Sequence, residues 1–265
     1  MAPPPVAPPP VARPVARPAA GAPAAAAGET RLGFLYPGHA AEDDYPAARD
    51  RLGPGVAVDV VHTSVGTDAH RVADLLDLGG PERLAEGARS LAAARPHAVV
   101  WACTSGSFVF GAAGAADQVA ALARVVAAPA SSTSFAFVHA AAALGLARVA
   151  VAATYPPEVA RCFVGFLEAH GLDVVASGYE DVLTAAEVAT FGAERALAFV
   201  AAGDRPEAEA VLVPDTALHS VAWLEEAEAR LGKPVLTANQ VSVWEALRLA
   251  GALRPAPGLG RLFAP

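Results

Sequence analysis

The sequence predicts an α/β fold of two similar halves, each with a parallel sheet of about four strands. Three observations carry this expectation. After residue 30, short and continuously apolar runs alternate with Ala/Leu/Glu/Arg segments of helical period. Runs without apolar–polar alternation suit strands covered on both faces, as in parallel sheets, and strand-then-helix repetition suits layered βα units. The chain also repeats itself. HAVVWACTSGS from His97 aligns with EAVLVPDTALH from Glu209, APASSTSFAFVHAAAALG from Ala128 with KPVLTANQVSVWEALRLA from Lys233, and RLGFLYPGH from Arg31 with RVAVAATYP from Arg148. The order is kept and the offsets are similar. Finally, polar turns recur where the apolar runs end.

Taken in order, strands are expected at 31–36, 56–61, 97–102, 125–130, 147–152, 172–176, 209–213 and 234–237. Helices are expected at 81–95, 115–124, 136–145, 157–170, 185–201, 220–231 and 240–250, where apolar residues recur at helical spacing. The first half is expected to take residues 30–143 together with 241–265, and the second residues 144–240. Residues 1–29, rich in Pro and Ala, offer almost nothing to bury and read as a disordered tail.

Composition narrows the functional classes. The 265 residues are 54% apolar and 17% charged, with a net charge of −8. The arginines are scattered, and Lys233 is the only lysine. A nucleic-acid or anionic-membrane partner is therefore not expected. No apolar run approaches the ~20 residues of a membrane span. Two cysteines, Cys103 and Cys162, are too few for a disulfide framework in a chain of this length, so they read as free thiols in the cytoplasm. No cofactor is expected either. A Gly-rich phosphate fingerprint after the first strand is missing, and so is GxSxG in a strand–turn–helix setting. Lys233, beside Pro234, is poorly placed for a Schiff base. The histidines show no metal-ligand spacing, so no metal is expected. Homo-oligomerisation stays open.

Ligands of open parallel sheets bind at strand carboxyl ends. Four turns lie there: Tyr36-Pro37-Gly38-His39, Cys103-Thr104-Ser105-Gly106, Thr154-Tyr155-Pro156 and Asp215-Thr216-Ala217. If the halves face each other, the turns converge on one cleft. Cys103 is the sharpest feature. A thiol at a helix start is expected to have a lowered pKa and to act as a nucleophile or base; the plainer alternative is a buried structural cysteine. Asp215, aligned with Cys103 in the repeat, reads either as a helix N-cap or as a proton donor and acceptor. Hydroxyls at Thr104, Ser105 and Thr216 add donors for a carboxylate. His39, His62 and His219, at strand ends, are further candidate contacts. Cys162 reads as core packing.

Five stretches, LGFLYPG (32–38), VVWACTSGSFVFG (99–111), ARVAVAATYPPEV (147–159), EAVLVPDTALHS (209–220) and KPVLTANQVSVWEALRLAG (233–251), together resemble the aspartate/glutamate racemase superfamily. Within it the chain is similar to the branch of maleate cis-trans isomerases and arylmalonate decarboxylases. The resemblance implies two flavodoxin-like halves related by a pseudo-dyad, with the active site between them. It also implies a cofactor-independent isomerase or racemase acting on a small mono- or dicarboxylic acid through a cysteine thiolate, with an arylmalonate-type decarboxylase or a non-catalytic acid-binding protein as alternatives. Cys103 matches the first of two flanking cysteines, the covalent nucleophile of the isomerases. Asp215 stands where the second cysteine is usual, and the decarboxylases keep their single cysteine at that second position. Tyr155 matches a substrate-contacting tyrosine. Pro37, Thr104, Ser105 and Thr216 match carboxylate-binding positions, and Gly38 adjoins them.

Overall fold

The computed structural model describes residues 28–265. The expected disordered tail therefore lies, over residues 1–27, outside the described residues. The first sheet contains β1 (Thr30–Pro37), β2 (Val56–Thr63), β3 (Ala98–Trp101) and β4 (Ala130–Ser132), in the order β2-β1-β3-β4. A second sheet contains β5 (Arg148–Ala153), β6 (Asp173–Tyr179), β7 (Ala210–Val213) and β8 (Val235–Thr237), in the order β6-β5-β7-β8. All six pairings are parallel. Replacing each strand number n by n+4 converts one sheet into the other, so the repeat read from sequence is a repeat of topology. Central strands β3 and β7 are buried at every position, which accounts for their unbroken apolar sequences AVVW and AVLV.

Among the described residues, eleven helices connect and cover the strands: α1 (Asp44–Leu52), α2 (Val72–Leu78), α3 (Pro81–Ala92), α4 (Ser105–Phe108), α5 (Gly111–Val126), α6 (Thr133–Ala143), α7 (Pro157–Ala169), α8 (Ala185–Val188), α9 (Ala193–Gly203), α10 (Leu224–Leu231) and α11 (Ala238–Leu249). No helix among the described residues is long and apolar enough to cross a membrane.

The structure corrects several expected elements. The strand expected at 125–130 is instead the end of α5. Leu122 and Val126, four residues apart, bury the same helical face, and Ala127 closes the helix in a left-handed conformation at φ 54°. Strand β4 begins only at Ala130. The helix expected over 185–201 is two, separated by residues 189–192. That over 220–231 starts at Leu224, and α1, α2 and α4 were not expected.

Helix α11 follows the second sheet but packs on α6, α1 and β3 of the first. It is buried from Ala238 to Leu247, polar residues included. Buried polar groups must be paired, and each here has a partner. Gln240 Nε2 donates to the Leu259 carbonyl at 2.8 Å, and Ser242 Oγ lies 2.6 Å from Thr133 Oγ1. Asn239 Nδ2 donates to Asp44 Oδ2 at 3.0 Å. Glu245 accepts from Arg248 at 2.7 and 2.8 Å and lies 2.9 Å from His139 Nδ1 on α6. Burial alone would raise the Glu245 carboxyl, but Arg248 and His139 outweigh it and hold it at about 2.

Asp44, the first residue of α1, is also buried. Its Oδ2 accepts from Ser220 N at 2.7 Å, Ser220 Oγ at 3.2 Å and Val221 N at 3.3 Å, besides Asn239. One carboxylate thus joins α1, α11 and the loop after β7. Burial raises the Asp44 pKa despite these donors.

Two outcomes are expected. Asp44→Ala removes the shared acceptor of four buried donors and should lower stability by ~3 kcal/mol, read by denaturant unfolding; a loss within ~0.5 kcal/mol would mean that water replaces the carboxylate. Glu245 has a folded pKa depressed below its unfolded value. Its contribution is therefore complete above about pH 4.5, is lost as pH falls towards 2, and amounts to about 3 kcal/mol. Glu245→Gln should flatten stability between those pH values relative to wild type.

Candidate active site

The turns at the carboxyl ends of β1 and β3 face that of β7 across a cavity of ≈ 200 Å³. Its lining includes Pro37, Gly38 and Cys103 from the first half and Asp215 and Thr216 from the second. An apolar wall comes from Val65, Ala69, Leu75 and Leu78. Thr104, Ser105 and Tyr155 are buried; Ser105 Oγ lies 3.8 Å from Cys103 Sγ, and the Tyr155 ring packs against His70 of the lining. Charges on Asp215 and Cys103 and hydroxyls on Ser105 and Thr104 all act on the Tyr155 phenol, which burial pushes far above its usual range. Five of the eight sequence-derived residues, Pro37, Gly38, Cys103, Asp215 and Thr216, thus line one space, and Thr104, Ser105 and Tyr155 are not on its surface.

Two tyrosines fix the facing loop. Tyr155 Oη donates to the Pro214 carbonyl at 2.7 Å, and Tyr36 Oη donates to the Thr216 carbonyl at 2.9 Å. Tyr36 Oη also accepts from Ala41 N at 2.9 Å. Asp215 is thus held between two anchored carbonyls. Its Oδ1 accepts from Ala217 N at 2.9 Å, and its Oδ2 from Thr154 Oγ1. Of the two readings of Asp215, the helix N-cap does not hold: the next helix begins nine residues later at Leu224, and the Ala217 bond closes a local turn instead.

Cys103 is 3% exposed. Gly106 N donates to its Sγ at 3.3 Å, and Ser105 Oγ lies 3.8 Å away. The expectation of a lowered pKa is reversed. Burial, with a smaller contribution from Asp215, pushes the thiol up to about 11, and the contacts from Gly106 and Ser105 offset only part of this. Helix α4 is a single turn, and its end is too weak a dipole to overcome desolvation. The thiol turn is also braced from behind. Gln118 Nε2 donates to the carbonyls of Gly79 at 2.8 Å and Gly106 at 2.9 Å. A Cβ at Gly79 would lie 2.0 Å from the Gly106 oxygen, so only glycine fits there.

Other candidates fall differently. Cys162 is half-buried against the core, its Sγ pointing to the Glu158 carbonyl at 3.5 Å. His219 Nε2 lies 2.9 Å from Asp43 on the outer surface. His39 lines the cavity, where its Nδ1 is 2.9 Å from Glu42 Oε1, and His62 faces the Gly38 carbonyl. Ligand atoms of His39, Glu42 and His62 lie within 4.8 Å of one another, a grouping that sequence spacing does not reveal. Sequence reasoning also passed over His70, a buried cavity residue eight positions after His62. Its only sequence signal is its place in the polar stretch HTSVGTDAHR after β2.

Comparison with known proteins follows the same lines. The family model for arylmalonate decarboxylase matches residues 79–263. Arylmalonate decarboxylase of Bordetella bronchiseptica is 31% identical over 167 residues, which are 60% of this chain and 68% of that protein. A cysteine-to-serine variant of Nocardia farcinica maleate cis-trans isomerase, solved with a covalently bound succinylcysteine intermediate, superposes with a TM-score of 0.82 at 25% identity. That match covers 89% of this chain and 98% of the isomerase. A crystal structure of arylmalonate decarboxylase superposes with a TM-score of 0.72 at 25% identity, over 88% of this chain and 98% of the other. With the family model matching well over half of its length, the chain belongs to the arylmalonate decarboxylase family, in the branch of the aspartate/glutamate racemase superfamily that also holds the maleate isomerases.

Proposed function

We propose that this chain is a cofactor-independent isomerase or racemase of a small mono- or dicarboxylic acid, working through the Cys103 thiol as a maleate isomerase does. The observation that carries this reading is the shared cavity, which places a thiol from one half and a carboxylate from the other on the walls of a space of ≈ 200 Å³. Such a space admits only a small substrate.

At neutral pH a thiol with a pKa of about 11 is protonated, so reaction needs an acceptor for its proton. Asp215 is the proposed acceptor. With a cis-enedioate bound, the sulfur adds to one olefinic carbon, and the thiol proton passes by way of Asp215 to its neighbour. The double bond becomes single and rotates. Reversal of both transfers then releases the trans isomer and restores the thiol. For an α-chiral acid, the same two groups would remove and return the α-hydrogen. Thr104, Ser105, Thr216, Pro37, Gly38 and Tyr155 hold the carboxylates and shape the walls. Unpaired thiols at Cys103 and Cys162 support residence in the cytoplasm.

A second reading, decarboxylation of an arylmalonate-type acid, is favoured by the apolar wall of Val65, Ala69, Leu75 and Leu78. A carboxylate pressed against it loses hydration, which promotes loss of CO₂. Cys103 would then protonate the resulting enolate.

Incubation in D₂O with maleate, with a chiral α-substituted acid and with phenylmalonate separates the two. The expected result is isomerised product or α-deuterium exchange, abolished in Cys103→Ser. Asp215→Asn should lower the rate by ~10²–10⁴-fold at unchanged melting temperature, because its amide can keep the Ala217 and Thr154 contacts. Release of CO₂ without isomerisation would select the decarboxylase, and binding of all three acids without turnover would sink both readings.

The thiol itself is testable by pH. In a Cys162→Ser background, alkylation of Cys103 by iodoacetamide should accelerate as pH rises towards about 11, since only the thiolate reacts. A rate that levels off below ~8.5, the ordinary cysteine value, would show a site that stabilises the thiolate.

A further inference from the structure

The cavity presents an electrostatic problem for a carboxylate ligand. No lysine or arginine is among its lining residues, whereas Asp68 and Asp215 are. Both carboxylates are already tied to protein: Asp68 accepts from the backbone N–H groups of Ala185 at 2.9 Å and Ala186 at 3.2 Å, and Asp215 from Ala217 and Thr154. An incoming anion meets two negative groups and no permanent cation.

His70 is built to supply one. It is 5% exposed and lies on the loop between β2 and α2. Its backbone N–H donates to the Leu183 carbonyl at 2.7 Å, and its Nδ1 faces the Val182 carbonyl at 2.9 Å. The ring stands edge-on to Tyr155, with centroids 4.9 Å apart and planes at 85°. A carbonyl oxygen can only accept, so Nδ1 carries a hydrogen whether the ring is neutral or charged. Nε2 is therefore the one position whose protonation can change, and no described residue bonds to it. The titratable groups that share the cavity lining with it are Asp68 on its own loop, Asp215 after β7, Cys103 after β3 and the exposed His39 after β1, and Tyr155 after β5 packs against the ring.

We propose that His70 is the carboxylate-binding cation of this site: Nε2 takes up a proton as the acid binds and donates it in a charge-assisted hydrogen bond to one carboxylate. The assignment rests on the acid-binding reading above and adds the group that neutralises the substrate. It also makes binding consume a proton wherever the free imidazole is neutral, so affinity should fall as pH rises.

Calorimetry with succinate, a saturated analogue that cannot isomerise, tests this directly. Titrations at about pH 8, where an ordinary imidazole is neutral, in two buffers of different ionisation enthalpy count the protons taken up. Wild type should take up close to one per succinate. His70→Asn keeps a donor for Val182 but removes Nε2; it should bind about ten- to a hundredfold more weakly and take up none. His70→Gln places a neutral amide near the Nε2 position and should recover part of the affinity, still without proton uptake. Uptake that persists in His70→Asn, or is missing in wild type, overturns the assignment and leaves the function intact. Wild type that binds neither succinate nor maleate overturns the acid-binding reading and this assignment together.

Discussion

A single buried carboxylate fixes the geometry on which the rest depends. Asp44 opens α1 in the first half, and its Oδ2 accepts from the Ser220–Val221 backbone in the second half and from Asn239 on α11. The loop it holds runs back through Leu218 and Thr216 to Asp215. Two parallel sheets facing each other through strand-end loops have no continuous ladder between them. Their relative position rests on such side-chain bolts and on packed helices. Burial raises the Asp44 pKa, and the donors that crowd it offset only part of that rise.

The same closeness shapes the sulfur. A thiol buried to 3% exposure beside an aspartate is held as a thiol, and the short α4 turn cannot reverse that. Reactivity in such a site comes with the ligand, which brings both the electrophilic carbon and the change in local charge. An idle enzyme with a protonated sulfur is also less open to adventitious oxidation than one that keeps a standing thiolate.

Much of this was legible in the sequence, for identifiable reasons. Strands buried on both faces write continuous apolar runs, so seven of eight strand positions were readable, and the topological repeat showed as aligned VVWACTS and VLVPDTA segments. Position 125–130 misled because Val125 and Val126 suit a strand equally well, and only the tertiary burial of Leu122 and Val126 on one face settles it. Cys103 stood out because its polar turn was unusual for a core cysteine. The direction of its pKa shift was not legible, since desolvation depends on what the other half places over the sulfur. Asp44 and His70 were hidden for a related reason. Their partners lie 176 to 195 and 112 residues away, and neither residue stands in a local pattern.

Gly79 links two things that look separate. It ends the short helix α2, which carries the wall residues Leu75 and Leu78, and its missing side chain lets the chain touch the Gly106 carbonyl behind the thiol. Tilting α2 to enlarge the apolar wall would therefore press on the turn that places the sulfur. Anyone broadening the range of acids accepted here would find substitutions along α2 trading size tolerance against turnover. Val65 and Ala185 border the same space from other elements, and changes there can be selected for fit alone.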